Sequence, residues 1–286
     1  DRGRGADRGA KAGLGLHIGL IQGALAGALG LQGRVGLVGH GGRIGQGLGM
    51  GAGGDREDPC AEDGGQQTRA LRFRAGDGRE FFFRSLDKDP STVLPPDLRG
   101  TVAASVVQDQ TKSALPTAPL VVSRLLAAAG IPHAEPHIVV LPDDPALGEF
   151  RPAFAHLVGT LEERVGGKGP NEHFAGALEI ITSDSLLTLI TQSSRDRVDA
   201  TAFLRARLFD LLIGDWDRHR DQWRWARFDS SEPRRWRPIP LDRDQAFARY
   251  DGLLLGIARQ AGAPQLTNYG PGYPGMTGAT WNGRDL

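Results

Sequence analysis

Gly214-Asp215-Trp216-Asp217-Arg218-His219-Arg220-Asp221-Gln222-Trp223 is the densest run of ionisable side chains in the chain. Asp215, Asp217 and Asp221 stand among Arg218, His219 and Arg220, with an acid on either side of Trp216. Immediately upstream, Asp199 is placed to cap a helix running to Ile213, and Gly214 is the stop signal. Phe203, Leu204, Leu208, Leu211 and Leu212 recur at helical spacing. Downstream, Gln222–Phe228 and Trp236–Leu241 read as strands around the polar turn Asp229–Arg235. The second strand leads into Asp242-Arg243-Asp244-Gln245-Ala246-Phe247. One hairpin thus folds Asp217 back toward Asp242. Two such carboxylates suit phosphoryl transfer: one orients or deprotonates the nucleophile, the other holds Mg²⁺ on the phosphates.

Working outward toward the N-terminus, Ser183 or Asp184 is expected to cap a helix reaching about Gln192. Phe150–Val165 holds a strand, and a Gly-rich loop follows it. His137–Leu141 is a short apolar strand closed by Pro142-Asp143-Asp144-Pro145. Pro95–Gln110 and Pro119–Ala129 read as helices, the second stopped by Gly130 with Pro132 beyond. Leu71–Ala75 and Arg79–Leu86 read as strands joined through Gly76-Asp77-Gly78, a hairpin signal. Gly262–Leu286 reads as loop. The order is strands first and helices later, with a hairpin inserted late. That predicts an α+β chain of two lobes.

Composition sets the outer limits. Of the 286 residues, 34 are Lys or Arg and 34 Asp or Glu, so no strongly basic field marks the chain as a general nucleic-acid binder. Its 1 cysteine, Cys60, excludes a disulfide framework within the chain and a cysteine-rich zinc site. Residues 1–60 hold about half of the glycines and no Phe, Trp or Tyr, so they offer little to bury against the entropy of ordering. The expected division is a Gly-rich leader at 1–63, a β-rich region at 64–165 and a helical region at 166–286. Within the leader, Ala12–Gly33 carries no formal charge, and Gly15, Gly19, Gly23 and Gly27 share one helix face. Two readings stay open for it: low-complexity sequence, or association with a membrane. The start at Asp1 suggests a processed or partial chain, and the abrupt end suggests truncation at the C-terminus.

With those residues in view, 214–223 and 241–247 resemble the catalytic and metal-binding loops of the atypical protein-kinase-like superfamily. Its members include bacterial HipA-type kinases, type II phosphatidylinositol 4-kinases and secretory-pathway kinases. They carry G-N-x-D-R-H or N-x-D-R-x-x-D-N, then a strand entering D-x-G/D-x-x-F. The resemblance implies a two-lobed protein-kinase-like fold, ATP, and Mg²⁺ or Mn²⁺. It implies that Asp217 is the catalytic acid and that Asp242 binds the metal. The second metal ligand of the family, usually Asn, corresponds to Gln222, with Asp221 beside it as a substitute. It further implies a strand cation for the nucleotide phosphates, either Arg84 or Lys88. Val158–Arg164 would be the hinge, with Leu161, Glu162 and Glu163 near adenine.

The acceptor hydroxyl is not specified by these motifs. Two other functions remain open on the same residues. Asp215, Asp217, His219 and Asp221 alternate, so an extended backbone would present all four to Mn²⁺ or Zn²⁺ for phosphoester hydrolysis. Gln222 in place of Asn, together with the lack of a standard Gly-rich phosphate loop, instead suits a non-catalytic nucleotide-binding module. Trp216, Trp223, Trp225 and Trp236 read as packing residues.

Overall fold

A computed structural model describes residues 36–37, 68–88, 114–166 and 170–272, apart from 76, 78, 252 and 262. The expected helix at Pro95–Gln110 and nearly all of the leader lie outside these residues. The elements are mixed α and β, in two small sheets with several helices. The described residues fall into two compact units, one from 68–88 and 136–164, the other from 114–135 and 165–272.

In the first unit, β1 (Gly36–Leu37), β2 (Thr68–Arg74), β3 (Glu80–Lys88), β4 (His137–Val140) and β5 (Val158–Glu163) form an antiparallel sheet in the order β1-β2-β3-β5-β4. Alternation explains its core. Leu71 and Phe73 on β2, and Phe81 and Phe83 on β3, point to one face and pack with Leu141, Leu147, Phe154 and Leu161. The hairpin predicted through Asp77 is present: the Ala75 N–H donates to Arg79 O at 2.8 Å, and Asp77 Oδ1 accepts from Arg79 N. A 3₁₀ turn at Pro145–Phe150 and a short helix, α2 (Arg151–Phe154), precede β5.

The second unit contains α1 (Ala118–Ala128), β6 (Glu179–Thr182), α3 (Ser183–Gln192), β7 (Asp196–Val198), α4 (Ala200–Ile213), β8 (Trp223–Arg227), β9 (Arg234–Pro240) and α5 (Leu253–Ala261). Its sheet order is β6-β8-β9-β7, and β7 runs parallel to β9. Trp223, Trp225 and Trp236 are buried with Leu186 and Ala206, in agreement with packing roles. Buried Asp196 fixes the parallel strand: it accepts from the Trp236 indole N–H at 2.8 Å and from Arg234 at 2.5 Å. Asp199 caps α4 as expected, taking the Ala202 N–H, and left-handed Gly214 ends it. The cap of α3 differs: Thr182, not Ser183 or Asp184, accepts the Ser185 N–H. β6, β7 and α5 were not expected. The two strands are only 4 and 3 residues long, and Gly256 interrupts the helical propensity of α5.

Not all of the apolar residues that recur along α4 pack: Phe203 lies against the tryptophan cluster. Leu204, Leu208 and Leu212 are exposed, whereas Ala206, Phe209, Asp210 and Ile213 are buried. The helix is apolar on nearly every side, so periodicity cannot choose a face. The choice follows from Asp210, whose carboxylate must reach the arginines beneath it. Leu208→Ala is expected to change unfolding free energy by less than ~0.5 kcal/mol, and Phe209→Ala to cost ~3–5 kcal/mol. Urea titration of the two variants checks this; the reverse order would put Leu208 rather than Phe209 in the packed face.

Candidate functional site

Gly214 turns the chain out of α4 into an irregular stretch, and a 3₁₀ turn at Arg220–Gln222 delivers it to β8. The β8–β9 register pairs Trp223 with Pro240, which brings Gln222 alongside Leu241. The Leu241 N–H donates to Gln222 O at 2.9 Å, and the Phe247 N–H donates to Ile213 O at 2.9 Å. Both halves of the acid-rich sequence are therefore joined through backbone.

Arg218 completes the joint. Its side chain has 0% exposure. Nη1 donates to Leu241 O at 2.7 Å and Asp242 O at 2.8 Å, and Nη2 donates to Gln222 O at 2.8 Å. The guanidinium lies 4.7 Å from the centre of the Trp223 ring. The carboxyl groups of Asp210 and Asp215 lie at 3.7 Å each, and Asp215 adds counter-charge once it has lost its proton. Arg243 donates to Asp215 at 3.0 Å and also bonds Asp210, which takes a further hydrogen bond from Arg207 at 2.7 Å. Burying such charges costs several kcal/mol per ion, offset only where partners and hydrogen bonds are well placed.

The predicted site residues of this unit sit on that frame. Asp217 is partly exposed, with its Oδ1 4.0 Å from His219 Nε2, and His219 Nδ1 is 3.5 Å from Asp221. Asp242 adopts φ 40°, and Phe247 φ 62°, so left-handed residues bracket the turn between them. Asp tolerates that region better than most side chains, and the turn breaks the alternation of β9 just where the carboxylate emerges. Asp242 Oδ1 accepts from Asp244 N at 3.3 Å. Asp244 in turn accepts from Gln245 at 3.1 Å, Gln245 from the Tyr250 hydroxyl at 2.7 Å, and Tyr250 from the Trp216 indole N–H at 2.9 Å. Burial raises the pKa of the Tyr250 phenol, which keeps it a donor in this chain.

Asp217, Asp242 and the Gln222 amide offer hard oxygen donors of the kind Mg²⁺ and Mn²⁺ take, usually with water and substrate phosphates completing the shell. Among the described residues no three His, Cys, Asp or Glu side chains converge as a metal set. The four-ligand reading loses one member directly: Asp215 is buried against Arg243 and Arg218, and so does not present an open face with Asp217, His219 and Asp221.

The residues predicted for the nucleotide lie in the sheet of the first unit. Arg84 is ion-paired to Glu162 across β3 and β5, with its guanidinium 5.4 Å from the Phe82 ring centre. Lys88 is the last residue of β3. Val158–Glu163 is a strand. Leu161 is paired on both sides and its side chain is buried, whereas Glu162 and Glu163 pair only with β3. Glu163 lies 3.3 Å from Arg79. Sequence reasoning missed Asp210 and Arg243. Asp210 carried a signal: an acid in the last turn of a helix opposes the macrodipole and calls for a cationic partner.

No protein-family model matches the chain, and neither a curated protein nor a solved structure matches it.

Burial pushes the Asp215 carboxyl up to about 7 from 3.8; Arg218 and Arg243 oppose that rise and Asp210 adds to it. With its folded pKa above the unfolded value, Asp215 keeps its proton in the folded state where the unfolded chain has released it. Its contribution to stability is complete below about pH 4 and is lost as pH rises toward 7, with a slope of at most ~1.4 kcal/mol per pH unit. Asp215→Asn removes that slope. The stability of wild type relative to Asp215→Asn, from urea midpoints between pH 4 and 7, should therefore fall as pH rises. Parallel curves would show Asp215 ionised throughout.

Proposed function

We propose that the chain is an ATP-dependent phosphotransferase of the two-lobed protein-kinase-like kind, acting on a hydroxyl acceptor with Mg²⁺ or Mn²⁺. One observation carries the reading: a buried guanidinium, Arg218, bonds the backbone of both acid-bearing segments, so Asp217 and Asp242 issue from one rigid frame. In this reading Asp217 orients the acceptor hydroxyl for in-line attack and accepts its proton as the new P–O bond forms and the bond from the γ-phosphorus to the β–γ bridging oxygen breaks, ADP leaving. Asp242, with Gln222 or Asp221, holds the divalent ion. That ion would supply neutralisation of phosphate charge. Arg84 or Lys88 serves the nucleotide phosphates.

Partial exposure of Asp217 supports this division of labour, because a base that meets a substrate proton must be reachable. Arg218 and Arg243, by contrast, are buried and bond Leu241 O and Asp215 within the unit. A second reading, a nucleotide-binding module without turnover, is favoured by Gln222, whose longer arm replaces the Asn of the motif.

Thermal-shift titration with ATP and Mg²⁺ or Mn²⁺ separates them. Wild type is expected to gain stability, Asp242→Asn to lose the gain, and Asp217→Ala to keep it while turnover falls ~100-fold or more. Arg84→Ala or Lys88→Ala should weaken ATP binding, and the one that does identifies the phosphate cation. A shift without turnover selects the module. No shift with either ion, or variants indistinguishable from wild type, removes the proposal.

A further inference from the structure

Most described arginines of the second unit have an acid within reach. Arg220 meets Asp184, Arg227 meets Glu179, Arg234 meets Asp196 and Arg249 meets Asp251. Several of those without a close acid lie on or beside β7 and β9. Among the described residues, the side chains of Arg195, Arg205 and Arg235 make no hydrogen bond or ion pair, and Arg235 has only the field of Asp229. Arg197 donates only to the Ser194 carbonyl, at 3.2 Å. Arg237 reaches Asp199 no closer than 4.0 Å, and its buried Nε has no partner.

Topology explains the clustering. In the parallel pairing of β7 with β9, Arg197 stands opposite Arg235. Registered neighbours share a face about 4.8 Å apart, and Arg237, two positions on, shares the face of Arg235. Like charges directly opposite are destabilising. Arg234, on the other face, has its acid in Asp196. Arg205 comes in from α4 to line one recess with Arg237, Ile131 and Pro132. Acids and bases are equal in number over the chain, so this local excess is not a by-product of a basic composition.

We propose that this outer face of β7 and β9, together with Arg205, binds a soluble ligand carrying several phosphate groups. Guanidinium forks match phosphate oxygens two at a time, and a compact ligand with adjacent phosphates engages several forks at once. The cationic run is short, since β7 has only 3 residues, and a duplex gains its affinity by charge contacts over many phosphates. None of these residues belongs to the phosphotransfer centre, so this proposal stands apart from that one.

Calorimetry of the full chain with inorganic tripolyphosphate, in buffer without divalent ions, tests it. Tripolyphosphate is expected to bind, at least tenfold tighter than orthophosphate, and more weakly as salt rises. The exposed double variant Arg197→Glu/Arg235→Glu should lose at least tenfold in affinity, and Arg205→Gln severalfold. Asp242→Asn should bind as wild type does. If the double variant melts early, Arg205→Gln and Arg235→Gln decide the matter. The proposal is overturned if wild type does not bind tripolyphosphate, or if binding survives these arginine changes. It is equally overturned if binding is lost in Asp242→Asn, if duplex DNA binds as tightly, or if only phosphatidylcholine vesicles containing phosphatidic acid are bound.

Discussion

Arg218 takes a permanent positive charge fully into the interior, and that requirement organises the second unit. A buried guanidinium is stable only when its N–H groups meet acceptors and its charge meets carboxylates. Three backbone carbonyls, of Gln222, Leu241 and Asp242, meet the first need at Nη1 and Nη2, and Nε is left without a hydrogen bond among the described residues. Asp210 and Asp215 meet the second. Those acids in turn draw in Arg243 and Arg207. The end of α4, the loop after it, the start of β8 and the turn after β9 therefore cannot settle independently. Removing the guanidinium would take a hydrogen bond from three carbonyls and leave two buried acids under-compensated.

The same network accounts for local features that look unrelated. Asp210 lies in the last turn of α4, where the dipole disfavours it, and is retained by two direct arginine contacts. The apolar side of α4 that carries Leu204, Leu208 and Leu212 faces outward because the side bearing Asp210 must face in. Asp242 leaves β9 in a left-handed conformation while its carbonyl is held by Arg218. A stretch with little regular structure is thereby fixed from within, and preorganisation of that kind is what a polar site needs to keep its groups aimed. Charge is handled differently in the first unit. There Glu80 and Glu162 pair with arginines on the sheet face opposite the Phe and Leu core, and Glu163, registered with Phe81, pairs with Arg79.

Much of the fold was legible in local pattern. Alternation gave β2 and β3, Pro119 and Gly130 bounded α1, and Asp199 with Gly214 bounded α4. The late hairpin was legible because apolar strands flank a polar turn. Short pieces were not: β7 contains Asp196 and Arg197, and only a buried Trp236 indole and Arg234 make a strand of it. For the candidate site, the two acid segments and their approach could be read, since a hairpin must return on itself. The partner of Arg84 could not. It is Glu162, on a strand far along the chain, and only sheet order places it there.

Local chemistry in the sequence determined where the chain turns, where its helices start and stop, and which segments hold the acids. Turn residues, caps and periodicity act over a few positions, and a single chain displays them in full. Only the tertiary structure decided which face of α4 is buried and which acids are spent on arginines. It also decided which arginines of β7 and β9 find no close acid among the described residues. Those outcomes depend on pairing between distant residues, where the cost of a buried charge is set by what surrounds it in space.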